Sequence, residues 1–203
     1  MDASDWDARY SQSELVWGAP PNNVVVEQVT ALPGGRALDL ACGEGRNAIW
    51  LATRGWDVTA VDFSQVAIDK GRTVATRSPR AVRDRITWRT DDVVSAEFES
   101  GYDLVLVVYL HLPADQRRSV LDRATASLNP GGVLLVVGHD ITNIAEGIGG
   151  PQDLSVLYSP DDVVRELDGD IVIRLATRRE RATDAGIAID ALVVAVRPFP
   201  ELV

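Results

Sequence analysis

The stretch Arg36-Ala-Leu-Asp-Leu-Ala-Cys-Gly-Glu-Gly-Arg-Asn-Ala48 constrains the fold of this chain more than any other. Ala37, Leu38, Leu40 and Ala41 form a short apolar run, the pattern of a strand covered on both faces. Gly43 and Gly45 follow at once, and a residue without Cβ lets the chain turn sharply and lets a ligand approach the backbone. Beyond Glu44, residues Ala48, Ile49, Leu51 and Ala52 take helical spacing. Strand, glycine turn and helix in this order put a ligand at the carboxyl end of a first strand, the usual place in an open α/β sheet.

The charge of that ligand is the deciding question. Gly43-Glu-Gly-Arg-Asn-Ala48 fits the G-x-G-x-x-G/A pattern of dinucleotide sites, a weak signal when taken alone. A dinucleotide would lay its pyrophosphate beside Asp39 and Glu44, and Arg46 offsets only part of that repulsion. A ligand with an ammonium or a sulfonium reverses the sign of the interaction. S-adenosylmethionine carries both cations.

Leu38-Asp-Leu-Ala-Cys-Gly-Glu-Gly45 resembles motif I of the class I S-adenosylmethionine-dependent methyltransferases. Trp6-Asp-x-Arg-Tyr10, the Trp17…Pro20-Pro21-Asn22 entry and Gly-Glu-Gly-Arg-Asn-Ala-x-x-Leu-Ala52 are similar to the small bacterial methyltransferases of the tellurite-resistance and thiopurine type. The resemblance implies one methyltransferase domain over residues 1–203. Its fold is a Rossmann-like open twisted sheet of seven strands, mostly parallel with the last antiparallel, and helices on both faces. It implies S-adenosyl-L-methionine as cofactor and S-adenosyl-L-homocysteine as product, held around motif I by Asp39, Ala41, Cys42, Gly43, Gly45 and Asn47. Residues 1–21 become a lid, in which Arg9 or Tyr10 meets the methionine carboxylate and Trp17 closes over the pocket.

Composition sets the outer bounds. At 203 residues the length suits one domain with a sizeable core. A net charge of −10 argues against nucleic acid as a main partner, because binding a phosphate backbone needs a basic footprint. Cys42 is the only cysteine, so no internal disulfide can form and the cytoplasm is the simplest compartment. No apolar run approaches a membrane span and the acidic N-terminus lacks a signal-peptide pattern, so no membrane partner is expected. A monomer or a homodimer fits these bounds.

Asn22 or Asn23 caps a predicted helix that runs through Leu32. The next strand, Asp57-Val-Thr-Ala-Val61, ends at Asp62. Asp62 stands about twenty residues past the glycine turn, where a ribose-binding carboxylate belongs, and its two oxygens can accept both ribose hydroxyls. Phe63 is then placed to lie against the adenine, and Ser64 caps a helix to about Arg77. The arginines from Arg77 to Arg89 read as a solvated face. Ile86–Thr90 alternates as a third strand. The resemblance implies an acidic residue at its end on the adenine amino group: Asp92 by the count from the strand start, with Val93 beside the ring and Asp91 as the second choice.

Gly101 to Tyr109 forms a fourth strand with Val108 at its carboxyl end, near the cofactor. A helix from about Ala114 to Leu128 is broken by Asn129-Pro-Gly-Gly132, which feeds a fifth strand, residues 133–137. The loop 138–158 starts on the ligand side and carries His139, Asp140 and Asn143 toward the methyl acceptor; long glycine-bearing loops are usually functional. His139 is the candidate catalytic group, either as a base or as an acceptor-binding donor. His111 reads as an ordinary loop histidine. Ser159-Pro-Asp-Asp162 starts a helix ending near Gly169. Strands 171–177 and 188–196, joined through Arg178–Arg181, form a terminal antiparallel pair.

The expected reaction is SN2 transfer of a methyl group to a small-molecule nucleophile. A sulfur, selenium or tellurium centre is suggested by family analogy. No cluster has convincing metal-ligand spacing, so no metal is expected. The competing readings are a catalytically silent cofactor-binding protein acting through a partner, and an NAD(P)-dependent oxidoreductase.

Overall fold

The computed structural model describes residues 3–16, 18 and 20–200. The chain divides into two compact units, Met1–Ala96 and Glu97–Val203. The seven strands follow the order β3-β2-β1-β4-β5-β7-β6.

In the first unit, β1 (Arg36–Leu40), β2 (Asp57–Asp62) and β3 (Ile86–Thr90) pair in parallel. Ala37, Leu38, Asp39 and Leu40 are all buried, the burial expected of a strand covered on both sides. Helix α1 (Ala3–Ser11) precedes α2 (Asn23–Val29), where the Asn22 side chain accepts from the Val24 amide as N-cap. The sequence leaves α1 unmarked, because its polar composition gives no apolar stripe. Helix α3 (Arg46–Thr53) starts directly from the glycine turn and packs on β2. Helix α4 (Gln65–Ala75) is capped by Ser64, whose hydroxyl accepts from the Ala67 amide. A one-turn helix, α5 (Arg80–Arg83), leads into β3. The arginine run is a solvated face: Arg77, Arg80, Arg85 and Arg89 pair with Glu14, Asp84, Asp57 and Asp91.

In the second unit, β4 (Tyr102–Val108) pairs in parallel with β5 (Leu128–His139), and α6 (Ala114–Ser127) connects them. β5 begins five residues before the expected strand. Leu128 pairs with Tyr102, and the Asn-Pro-Gly-Gly segment is taken up as an irregularity before the register resumes at Val133. Helices α7 (Asn143–Glu146) and α8 (Pro160–Glu166) follow, with Ser159 and Asp162 forming a reciprocal capping box.

The last hairpin is longer than predicted. β6 (Val172–Thr183) and β7 (Gly186–Val196) pair antiparallel almost to the tip, and β7 also runs antiparallel to β5. The segment read as a connection, Arg178–Arg181, lies inside β6. Its arginines suit a strand because they find acids: Arg178 pairs with Glu146 and Arg181 with Asp190. The mixed seven-strand, Rossmann-like sheet implied by the resemblance is what forms. No helix among the described residues is long and apolar enough to cross a membrane.

Candidate active site

The glycine turn is built by backbone geometry. Ala41, Gly43 and Gly45 have φ of 56°, 55° and 74°, so the chain leaves β1 through three left-handed residues. Ala41 holds this conformation without glycine's freedom, at a cost of about 1–2 kcal/mol. Gly43 donates its N–H to Asp62 Oδ2 at 2.8 Å, and the Ser64 amide donates to Asp62 Oδ1 at 2.9 Å. Asp62 thus joins the glycine turn to the start of α4. It is 4% exposed, and burial raises its pKa while the two amides pull the other way. Each oxygen keeps a further lone pair for a hydroxyl.

Asp39 is buried on β1 and its Oδ2 makes no hydrogen bond. Burial, and next the Asp62 carboxylate, raise its pKa from 3.8 to about 7; Arg46 and the Ala48 amide oppose the rise. A buried carboxylate in this condition is completed by a cation or by a proton. The Cys42 thiol is held neutral, its pKa pushed well up by burial and by Asp39 and Asp62.

Several expected ligand contacts are occupied by the protein itself. Glu44 does not present its charge as the sequence argument supposed. Its Oε2 accepts from the Val16 amide at 2.9 Å and its Oε1 lies 2.6 Å from Lys70 Nζ. Lys70 also donates to the Tyr10 and Ser13 carbonyls at 2.7 and 2.8 Å, tying the N-terminal segment to the turn. The open side of Gly45 faces a protein ring, since a Cβ there would stand 2.3 Å from Trp88 Cη2. Asn47 is buried and its Oδ1 accepts from the Asn22 amide.

The remaining sequence-predicted residues fall as follows. Tyr10 is buried against Trp6, with ring centroids 5.5 Å apart, while Arg9 stacks its guanidinium over the Trp6 ring at 5.1 Å. Trp17 lies outside the described residues. Phe63 is half-buried beside Asp62. Asp91 pairs with Arg89 and accepts from the Asp92 amide, Asp92 Oδ1 accepts from the Val94 amide, and Val93 is buried. Val108 is half-buried at the end of β4.

The second unit holds a polar cluster of its own. Tyr109 follows β4 at φ 57°, a strained setting for a bulky residue, and its hydroxyl donates to Asp190 Oδ2 at 2.7 Å. Asp190 is fully buried on β7 and accepts from Arg181 Nε at 2.6 Å. His139 is the cross-strand partner of Asp190. Its backbone N–H donates to His111 Nε2 at 3.2 Å, and its Nδ1 lies 3.3 Å from the same nitrogen. Burial, and next His139, lower the His111 pKa from 6.5 to about 3. Burial also lowers that of His139, against the pull of Asp190. Tyr158 is buried over Gly138, its hydroxyl makes no hydrogen bond, and Arg117 stacks on its ring at 4.8 Å.

Asn143, expected to face the acceptor, has its side chain engaged by the protein. Its oxygen accepts from the Ile189 amide and its nitrogen donates to the Ile148 and Gly149 carbonyls, so the whole amide is spent pinning the loop to β7. Asp140 is buried and accepts from the amide and hydroxyl of Thr142. Sequence reasoning missed Tyr158, Arg181 and Asp190. Asp190 carried a readable signal, a lone carboxylate in the apolar strand Ile189-Asp-Ala-Leu-Val-Val194. Among the described residues no group of three His, Cys, Asp or Glu side chains is placed to hold a metal.

Residues 37–132 match the methyltransferase domain family. That match covers just under half of the chain. It is 32% identical over 120 residues to hemagglutinin 1 of Eikenella corrodens, covering 57% of this chain and 38% of that one. It is 27% identical over 115 residues to the probable S-adenosyl-L-methionine-dependent methyltransferase TehB of Haemophilus influenzae, covering 56% and 39%. Thiocyanate methyltransferase 1 of Brassica oleracea is 24% identical over 173 residues, 81% of this chain and 73% of that one. The chain thus spans well under half the length of the first two relatives it matches. The solved glycopeptide N-methyltransferase MtfA, complexed with S-adenosyl-L-methionine, superposes with a TM-score of 0.70 over 90% of this chain and 89% of that one, at 24% identity. That likeness shows the fold.

Proposed function

We propose that the chain transfers a methyl group from S-adenosyl-L-methionine to a small-molecule nucleophile, leaving S-adenosyl-L-homocysteine. The observation that carries this reading is Asp39: a buried carboxylate with an open oxygen, beside a left-handed glycine turn, held near half-protonation until a cation completes it. The donor's ammonium suits Asp39. Its ribose hydroxyls suit the remaining lone pairs of Asp62, and its adenine suits Phe63, Val93 and Asp92 or Asp91. The bound donor supplies an already activated methyl group, so the protein's part is alignment and exclusion of water. A pyrophosphate is disfavoured by the same buried acids, although Lys70 rather than a ligand neutralises Glu44.

The acceptor belongs to the Tyr109, His139 and Asp190 cluster on this reading. The name of thiocyanate methyltransferase 1 favours a sulfur centre, and the resemblance to the tellurite-resistance and thiopurine type extends this to selenium and tellurium. A net charge of −10 favours a small molecule over nucleic acid, and a cytoplasmic monomer or homodimer fits the single cysteine. Calorimetric titration with S-adenosylmethionine, with NADH as control, tests the proposal. Saturable binding of the sulfonium donor alone is expected. NADH binding in its place would favour an oxidoreductase, and donor binding without turnover on a broad acceptor panel would favour a silent binder.

A further inference from the structure

The pair His111 and His139 defines a proton inventory that neither residue has alone. A backbone N–H is always a donor, so the His139 amide fixes His111 Nε2 as an acceptor, its one lone pair turned toward His139. The proton of neutral His111 then sits on Nδ1, toward the Tyr109 backbone. The low pKa of His111 keeps it in this neutral form. His139 Nδ1 faces the same lone pair at 3.3 Å. If that nitrogen were bare, two lone pairs would face each other; with a proton, it donates. That geometry favours a proton on His139 Nδ1, sharing the His111 lone pair with the amide, and leaves Nε2 bare, with no hydrogen bond among the described residues. The ring is held in place by Gly150, where a Cβ would meet His139 Cδ2 at 2.6 Å and Nε2 at 2.9 Å.

We propose that His111 is a positioning residue that locks His139 as the Nδ1–H tautomer, and that the site therefore takes a nucleophile carrying a proton, an S–H, N–H or O–H group, rather than an oxyanion or a halide. This rests on the methyl-transfer reading above and names its acceptor class. A bare Nε2 repels an anion and accepts from a donor. As the acceptor's new bond to the methyl carbon forms, its X–H bond breaks and the proton passes to His139 Nε2. The bonding pair of the donor's S–CH3 bond stays on sulfur as a neutral thioether. The imidazolium so formed faces the Asp190 carboxylate across the strand pair, with Arg181 opposing and Tyr109 and His111 completing its surroundings. It returns the proton to water. Among chalcogen acceptors a thiol meets this requirement, and selenite-like or tellurite-like anions do not.

Long-range proton–nitrogen NMR of the labelled, unliganded protein reads the tautomer directly, without any turnover. The expected result is a protonated Nδ1 and a bare Nε2 on His139, shifting to a mixture of tautomers in His111→Phe. A protonated Nε2 in the wild type overturns the proposal whatever the activity. Methyl transfer is then assayed across thiols, amines and phenols against selenite, tellurite and iodide. Turnover on the protic set is expected, falling on the order of tenfold or more in His111→Phe with unchanged donor affinity. Turnover on the anions alone, with the Nδ1–H tautomer intact, overturns the acceptor class while leaving methyl transfer standing.

Discussion

Replacing Asp39 by Asn tests the buried-carboxylate argument in the free protein, before any ligand is added. With a pKa of 3.8 raised to about 7, the folded state holds a proton on Asp39 that the unfolded state has lost across that interval. Stability is therefore greatest below pH 4 as far as this group is concerned, declines as pH rises, and is lost once pH passes 7. The slope is about 1.36 kcal/mol per pH unit where the folded group is protonated and the unfolded one ionised. Between pH 5 and pH 8 the wild type should lose about 2.5 kcal/mol from Asp39 alone, after allowance for the flattening near pH 7. Asn has the same shape, keeps an acceptor for the Ala48 amide and does not titrate. Urea unfolding followed by tryptophan fluorescence at both pH values gives the comparison. The Asp39→Asn protein should gain on the wild type by that amount as pH rises, and should bind S-adenosylmethionine more weakly by about 1.5–3 kcal/mol, as expected for a lost charged hydrogen bond. A stability difference between the two proteins that is the same at pH 5 and pH 8 would refute the reasoning.

Three further outcomes are expected. Lys70→Met leaves Glu44, 3% exposed, without its cation; it should cost about 3 kcal/mol and speed limited proteolysis within residues 3–16, and an unchanged cleavage rate would count against the tie. Gly45→Ala drives a Cβ into Trp88 at φ 74° and should cost about 3 kcal/mol in thermal unfolding, with Trp88→Leu in the same chain recovering part of it. Tyr109→Phe removes the donor to buried Asp190 and should cost about 1–3 kcal/mol while sparing donor affinity measured by calorimetry; a large loss of donor affinity would contradict the assignment of Tyr109 to the acceptor side.

What the sequence made legible was what local chemistry decides. The strand, glycine turn and helix of residues 36–53 are written within eighteen residues, and the caps Asn22, Ser64 and Ser159 need only their own first turn. Asp62 was singled out for the same reason, at a fixed offset from the turn, whose Gly43 amide donates to it. Glu44 was misread because the groups that claim it, Val16 and Lys70, come from distant parts of the chain. The cluster of Tyr109, His139 and Asp190 was half seen for a similar cause. His139 stands in a loop that advertises itself, but Tyr109 and Asp190 meet across 81 residues, and the segment Arg178–Arg181 that brings Arg181 to Asp190 reads locally as a charged connection. Asn143 has the composition of a site residue and the hydrogen bonds of a staple.

The tie between the N-terminal segment and the glycine turn makes that segment an internal ligand. Val16 holds Glu44 from one side of a turn whose Gly43 amide, through Asp62, serves the other. If the two occupants are coupled through this turn, thermodynamic reciprocity makes the factor the same in both directions. Whatever factor donor binding gains from a docked segment, docking gains from bound donor. Saturating donor should therefore shield residues 3–16 from protease in the same proportion in which cutting the Val16 tie weakens the donor.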